Sequence, residues 1–185
     1  IYPQLRDALV AYAATVKIGD GSEQGIQIGP LNNRQQYERV LNLIQDAKDR
    51  GYKFLIGGEK SDAPGYFVPI TILDNPPEDS RIVQEEQFGP ILPLLKFDNY
   101  EDVIKRVNAT EYGLGGSVWG ADEEQALAIA QRIASGTVWV NETQHISPIV
   151  TFGGMKQSGV GVEGGVQGLL EFTNVQTIVR KKKPN

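Results

Sequence analysis

The hexapeptide EEQFGP (85–90) sets two carboxylates, an aromatic ring and a Gly-Pro turn directly before the apolar run ILPLLKF. A carboxylate accepts hydrogen bonds and a ring recognises a plane, which together equip a ligand pocket. The competing reading is a solvated acidic turn, since paired acids mostly lie on solvent faces. Physical chemistry alone leaves the turn ahead. Other reactive side chains are sparse, because the 185 residues hold no cysteine and one histidine, His145. Disulfides, thiolate zinc sites and a Cys–His nucleophile pair within this chain are thereby excluded. His145 lies in the polar loop NETQHISP. A general base there would need a nucleophile beside it, and none is evident, so a surface or structural role is favoured. Nothing spaces acids as an EF-hand does, and no metal is expected.

FGGMKQSGVG (152–161) packs four glycines, a lysine and a serine into ten residues. Its open backbone and Lys156 suit close approach to an anion, or equally a turn-rich crossing segment. GVGVEG (159–164) matches the spelling of a dinucleotide fingerprint. The fingerprint requires a strand before and a helix after, and the sequence around it offers neither, so the match is a false positive. The triplets NAT (108–110) and NET (141–143) have the pattern of glycosylation acceptors, and nothing else indicates secretion.

Elements must position these groups. Leu5, Leu9, Tyr12, Ala13 and Val16 form a helical stripe that Gly19 and Gly21 stop. Tyr37, Val40, Leu41, Ile44 and Ala47 mark a second helix, with Gly51 as its C′ residue. YKFLIGG reads as a short buried strand, and YFVPITIL as another that Pro69 pushes to an edge or irregular position. ILPLLKF is a third. Asn99 and Asp122 are N-caps of two further helices, the second ending at Gly136; GGSVWGA and TVWVN are strands, TVWVN buried on both faces. The alternation predicts an α/β domain with a mostly parallel sheet. LLEFTNVQTIVRK at the end alternates and is β-branched, which predicts a strand left to pair with a partner chain. The basic run RKKKP that follows reads as a solvated tail.

Size and composition bound the rest. The length suits one domain, and 40% hydrophobic with 22% charged residues is ordinary for a globular protein. A net charge of −5 gives no general attraction to nucleic acid or anionic membrane. No apolar run reaches the ~18 residues of a membrane span, and no signal peptide is visible. The chain starts at Ile1, already in helical pattern, which reads as a piece of something longer.

EEQFGPILPLLKF, NATEYGLGGSVWG, SGTVWVNE, FGGMKQSGVGVEGG and LLEFTNVQTI, in this order and spacing, resemble the C-terminal portion of the NAD(P)-dependent aldehyde dehydrogenase superfamily. GPLNNRQQYERVLNLIQDAKDRGYKFLIGG fits the same family, so the resemblance covers essentially the whole chain. It implies a three-layer, Rossmann-like α/β catalytic domain over 1–155 (part), a crossing segment over 156–170 and an oligomerisation strand with its tail over 171–185. It implies an oxidoreductase that converts an aldehyde to a carboxylic acid with NAD or NADP, through a cysteine thiohemiacetal and thioester. The nucleophile is absent from these residues, so the chain alone is expected to be inactive. The rival reading is a stand-alone, catalytically dead interaction or oligomerisation module.

By the same resemblance Glu86 holds the ribose hydroxyls beside the nicotinamide, and Phe88 packs next to them. Thr143, Gln144, His145 and Ile146 line the aldehyde tunnel, Phe152 sits near the reacting carbonyl, and Glu163 belongs to a proton relay, a role suited to a partly buried carboxylate. Thr151 stands where the family has proline before F-G-G, and Val162 where it has a basic residue. The implied partners are a small-molecule aldehyde and further copies of the chain, as a homodimer or tetramer built through the last strand. Neither nucleic acid nor membrane is expected as a partner, and the expected location is cytoplasmic.

Overall fold

A computed structural model describes residues 1–182, which fold as two compact units, Ile1–Lys96 and a second from Phe97 onward. In the first unit, helices α1 (Tyr2–Ala13) and α2 (Arg34–Asp49) precede strands β1 (Phe54–Ile56) and β2 (Thr71–Asp74). The short helix α3 (Arg81–Gln84) and strand β3 (Ile91–Leu94) complete it. The Asn33 side chain accepts from the Gln36 N–H at 2.8 Å, which starts α2, and Gly51 at φ +72° leaves the helix in the left-handed region. Between these signals Val40, Leu43, Ile44 and Ala47 fall on one helical face and are buried against Val68, Leu73, Ile82 and Ile91. Each full aliphatic burial there contributes about 1.5–3 kcal/mol.

The sheet order is β1-β2-β3, with β1 antiparallel and β3 parallel to β2. The strand around YFVPITIL thus sits at the sheet centre, not its edge. Pro69 imposes no penalty because pairing begins two residues later, at Thr71 opposite Ile91. Pro93 is tolerated because β3 has one bonded neighbour, across which it faces Leu73.

The second unit holds α4 (Tyr100–Asn108), β4 (Tyr112–Gly113), β5 (Gly115–Val118), α5 (Glu123–Ala130) and β6 (Thr137–Val140). It continues with β7 (Phe152–Gly153), β8 (Met155–Lys156), β9 (Val162–Glu163) and α6 (Gly165–Leu170). Pairing is parallel for β5–β6 and antiparallel for β4–β8 and β7–β9. Among the described residues the sheets are small and mixed, so the expected mostly parallel sheet is not what forms. The strand β6 is half-buried along its length rather than covered on both faces.

Three other expectations are corrected. The helix begun by Asp122 ends at Ala130, and Gly136 does not cap it. Gly136 is instead a point of close backbone approach, where a Cβ would fall 1.7 Å from the Gly153 carbonyl oxygen. LLEFTNVQTIVRK does not form a strand: its two leucines end α6, and no strand follows through residue 182. Extended backbone needs a neighbouring edge to take its hydrogen bonds, and among the described residues none pairs with it. Residues 183–185, the end of the basic run, lie outside the described ones. GVGVEG is followed by a helix after all, yet the motif contains β9 itself, paired antiparallel to β7, so no βαβ unit surrounds it.

Candidate functional site

In the first unit the EEQFGP turn is built between α3 and β3. Its two carboxylates have different surroundings. Glu85 takes a forked contact from Arg81, at 2.6 and 3.3 Å, with Arg39 at 3.9 Å. Glu86 is half-buried, and among the described residues its carboxylate has no hydrogen-bond or ion-pair partner. Phe88 adopts φ +40°, uncommon for a residue with a Cβ, and its ring is 70% exposed. Such strain persists only when neighbours enforce it. Here Gln36 donates from its side-chain nitrogen to the Gln87 carbonyl, and Gln87 donates to the Ile91 carbonyl at 3.3 Å. Gly89 lies against Val40, where a Cβ would meet Cγ2 at 2.8 Å. The turn therefore presents an unpaired carboxylate and an outward ring on a fixed frame.

In the second unit an open cavity of about 500 Å³ is lined by Leu114, Gly115, Gly116, Ser117, Trp139, Thr143, Gln144, Ile146 and Phe152. Glycines on β5 leave space, while Trp139 on β6 and Phe152 on β7 supply aromatic walls. None of the lining residues is titratable, so the cavity is equipped to hold an uncharged, largely apolar molecule and offers no acid or base of its own.

The structure gathers Gln144, Ile146 and Phe152 into this cavity and leaves His145 out of it. His145 is exposed, and its backbone carbonyl accepts the Trp139 indole N–H at 3.0 Å. Glu163 pairs across from Phe152 on β9, but it is exposed rather than partly buried. Lys156, a candidate for anions, is spent on structure: its Nζ donates to the Asn108 and Thr110 carbonyls, each at 3.0 Å, at the C-terminus of α4. The amides of Asn108 and Asn141 donate to the Arg132 and Gly120 carbonyls, which removes both from the glycosylation reading. Among the described residues no His, Cys, Asp and Glu side chains cluster as metal ligands would, and no helix is long and apolar enough to cross a membrane. Leu114, Gly115 and Trp139 were not singled out from sequence. The apolar run TVWVN reads as core, and only its register opposite GGSV exposes the indole to a cavity.

The pattern of the aldehyde dehydrogenase family matches residues 1–178. A probable aldehyde dehydrogenase of a Pseudomonas species is 43% identical over 182 residues, covering 97% of this chain. The chain spans 36% of that relative's length. The NAD+ complex of aldehyde dehydrogenase from Bacillus cereus superposes with a TM-score of 0.90 at 40% identity, over 95% of this chain and 36% of that one. A mutant aldehyde dehydrogenase C from Pseudomonas syringae, in complex with NAD+ and octanal, gives 0.87 at 33% identity, over 92% and 36%.

Proposed function

The chain belongs to the aldehyde dehydrogenase family, and on that premise we propose that it carries recognition surfaces of an enzyme oxidising aldehydes to carboxylic acids with NAD or NADP. The observation that carries this reading is the cavity that brings Gln144, Ile146 and Phe152 together. Its walls suit an uncharged aldehyde with an apolar tail. Trp139, Ile146, Leu114 and Phe152 would bury that tail, and Ser117, Thr143 and Gln144 offer polar atoms to a carbonyl or hydroxyl.

The EEQFGP turn fits a dinucleotide on two counts. A half-buried carboxylate without a protein partner is able to accept from two neighbouring sugar hydroxyls, and an outward ring on a rigid turn can pack beside a planar base. Glu86 and Phe88 are the residues proposed to hold it. When bound, the nicotinamide accepts the hydride that aldehyde oxidation releases. Glu163, exposed on β9, is proposed from the resemblance alone to belong to a proton relay; its exposure does not supply the partial burial that role suits.

Within these 185 residues there is no cysteine, so the nucleophile is proposed to come from polypeptide outside them, and the chain alone to be inactive. The resemblance extends the reading to a cytoplasmic dimer or tetramer, with 1–155 as part of a catalytic domain, 156–170 as a crossing segment and 171–185 as the oligomerising end. In the full-length enzyme Glu86→Gln is expected to slow NADH appearance in single-turnover experiments more than it raises the aldehyde KM. An unchanged single-turnover rate would defeat the assignment of Glu86.

A further inference from the structure

The loop carrying three of the cavity's lining residues, Thr143, Gln144 and Ile146, hangs on one contact. Among the described residues, the hydrogen bond that ties 142–146 to the rest of the chain is the one from the Trp139 indole N–H to the His145 carbonyl, at 3.0 Å. The other bond in that stretch, from the Thr143 N–H to the Glu142 carboxylate at 2.9 Å, is internal to it. On either side the backbone is held firmly. Asn141 donates its N–H to the Val118 carbonyl at 2.9 Å, and its side chain exchanges two bonds with Gly120, at 2.8 and 3.0 Å. Beyond the loop, Gly165 N–H meets the Pro148 carbonyl at 2.9 Å.

Between those anchors Gln144 sits at φ +54°, a conformation an isolated glutamine avoids, immediately before the latched carbonyl. The indole itself is fixed. Trp139 lies opposite Ser117 in the β5–β6 ladder, and its ring packs on Gly115, where a Cβ would fall 2.9 Å from Cζ3. One side chain therefore forms a wall of the cavity and also holds the loop that supplies another wall, with Gln144 and Ile146 upon it.

Resting on the reading of this cavity as the aldehyde pocket, we propose that Trp139 is a positioning residue that sets the chain-length preference of the site. A long apolar tail needs Ile146 and the ring walls held together, whereas a short one fills only part of the cavity. Loosening the loop therefore weakens binding of the long ligand more than of the short one.

Octanamide and butanamide, uncharged and unreactive stand-ins for a long and a short aldehyde, provide the test. Both are titrated by ligand-detected NMR into the 185-residue chain and its Trp139→Phe variant, which keeps a ring and loses the N–H. Hydrogen-exchange mass spectrometry follows residues 141–151 alongside α5. Exchange in 142–147 should rise roughly three- to tenfold with α5 unchanged, and the octanamide-to-butanamide affinity ratio should fall by a similar factor, the worth of one hydrogen bond. Gly115→Ala, which displaces the indole without touching the loop, should reproduce both effects if Trp139→Phe folds poorly. Leu114→Ala should change octanamide affinity while leaving loop exchange alone. Unchanged loop exchange, or equal fractional losses for both amides, would overturn the proposal. Failure of octanamide to bind the unsubstituted chain would overturn it through the reading it rests on, and is distinguishable because no variant is involved.

Discussion

Adjacent carboxylates at 85 and 86 separate a structural role from the recognition role proposed for Glu86. Glu85 is spent on Arg81 and Arg39, in a pair whose side chains are 35–43% exposed, so solvent screens most of its worth. Glu85→Gln should lower unfolding free energy in urea by less than about 1 kcal/mol and leave NAD+ affinity unchanged. Glu86→Gln should do the reverse, which a paired NAD+ titration checks. A second residue-scale pair gives pH dependence. The Tyr2 hydroxyl donates to Asp74 at 2.7 Å, and Lys53 approaches the same carboxylate at 2.7 Å. Lys53 and then Tyr2 hold Asp74 below its ordinary value, while burial and Asp74 push Tyr2 up to about 12 from 10.0. A depressed carboxylate adds stability above its unfolded pKa of about 3.9, and that stability is lost as pH falls through the folded value. A raised phenol adds stability present below pH 10.0 and lost as pH rises toward about 12. Tyr2→Phe should therefore cost about 1 kcal/mol at pH 8 and flatten the alkaline limb in urea titrations between pH 10 and 12.

At the scale of elements, caps written in the chain work locally. Asn99 accepts from the N–H groups of Glu101 and Asp102 at 2.7 and 3.2 Å, and Asp122 accepts from Gln125 at 3.0 Å. Asn99→Ala should cost about 1 kcal/mol, read as a lower urea midpoint with an unchanged slope. These contacts span two or three residues, so they were legible in sequence. Gly136 was not. Its lack of a side chain serves the carbonyl of Gly153, seventeen positions later, and a glycine that closes a helix looks the same in sequence as one that admits a distant backbone. Gly136→Ala should push β7 away from its neighbour and lower stability by about 1–3 kcal/mol. Loss of octanamide binding should accompany it, because Phe152 moves with β7.

For the whole molecule, the described residues from 172 to 179 carry exposed apolar side chains among polar ones. Phe172, Val175, Ile178 and Val179 are 82–97% exposed, in a segment that forms no strand here. Exposed apolar side chains in a segment without strand pairing are suited to another chain's surface. If the proposed oligomer forms, deleting 171–185 should convert it to monomers in sedimentation velocity, and an unaltered oligomer would count against the proposed role of this segment. The first unit, with its own core around α2, should tolerate that deletion. Leu43→Ala should instead destabilise it by about 2–5 kcal/mol in thermal unfolding, as expected for a leucine with no exposed surface.

The sequence by itself determined the family, the helices α1, α2, α4 and α5 with the caps at Gly51, Asn99 and Asp122, and the short apolar strands β1, β2, β3, β5 and β6, because periodicity and capping act over a few residues. It also brought Gln144, Ile146 and Phe152 forward as candidates, through motifs of fixed order. Only the tertiary structure decided that these three share one cavity while His145 turns its backbone to Trp139. The parity of β6, its register against β5 and the left-handed turn at Gln144 together aim each side chain. Those are relations between segments far apart in the chain, and no local pattern encodes them.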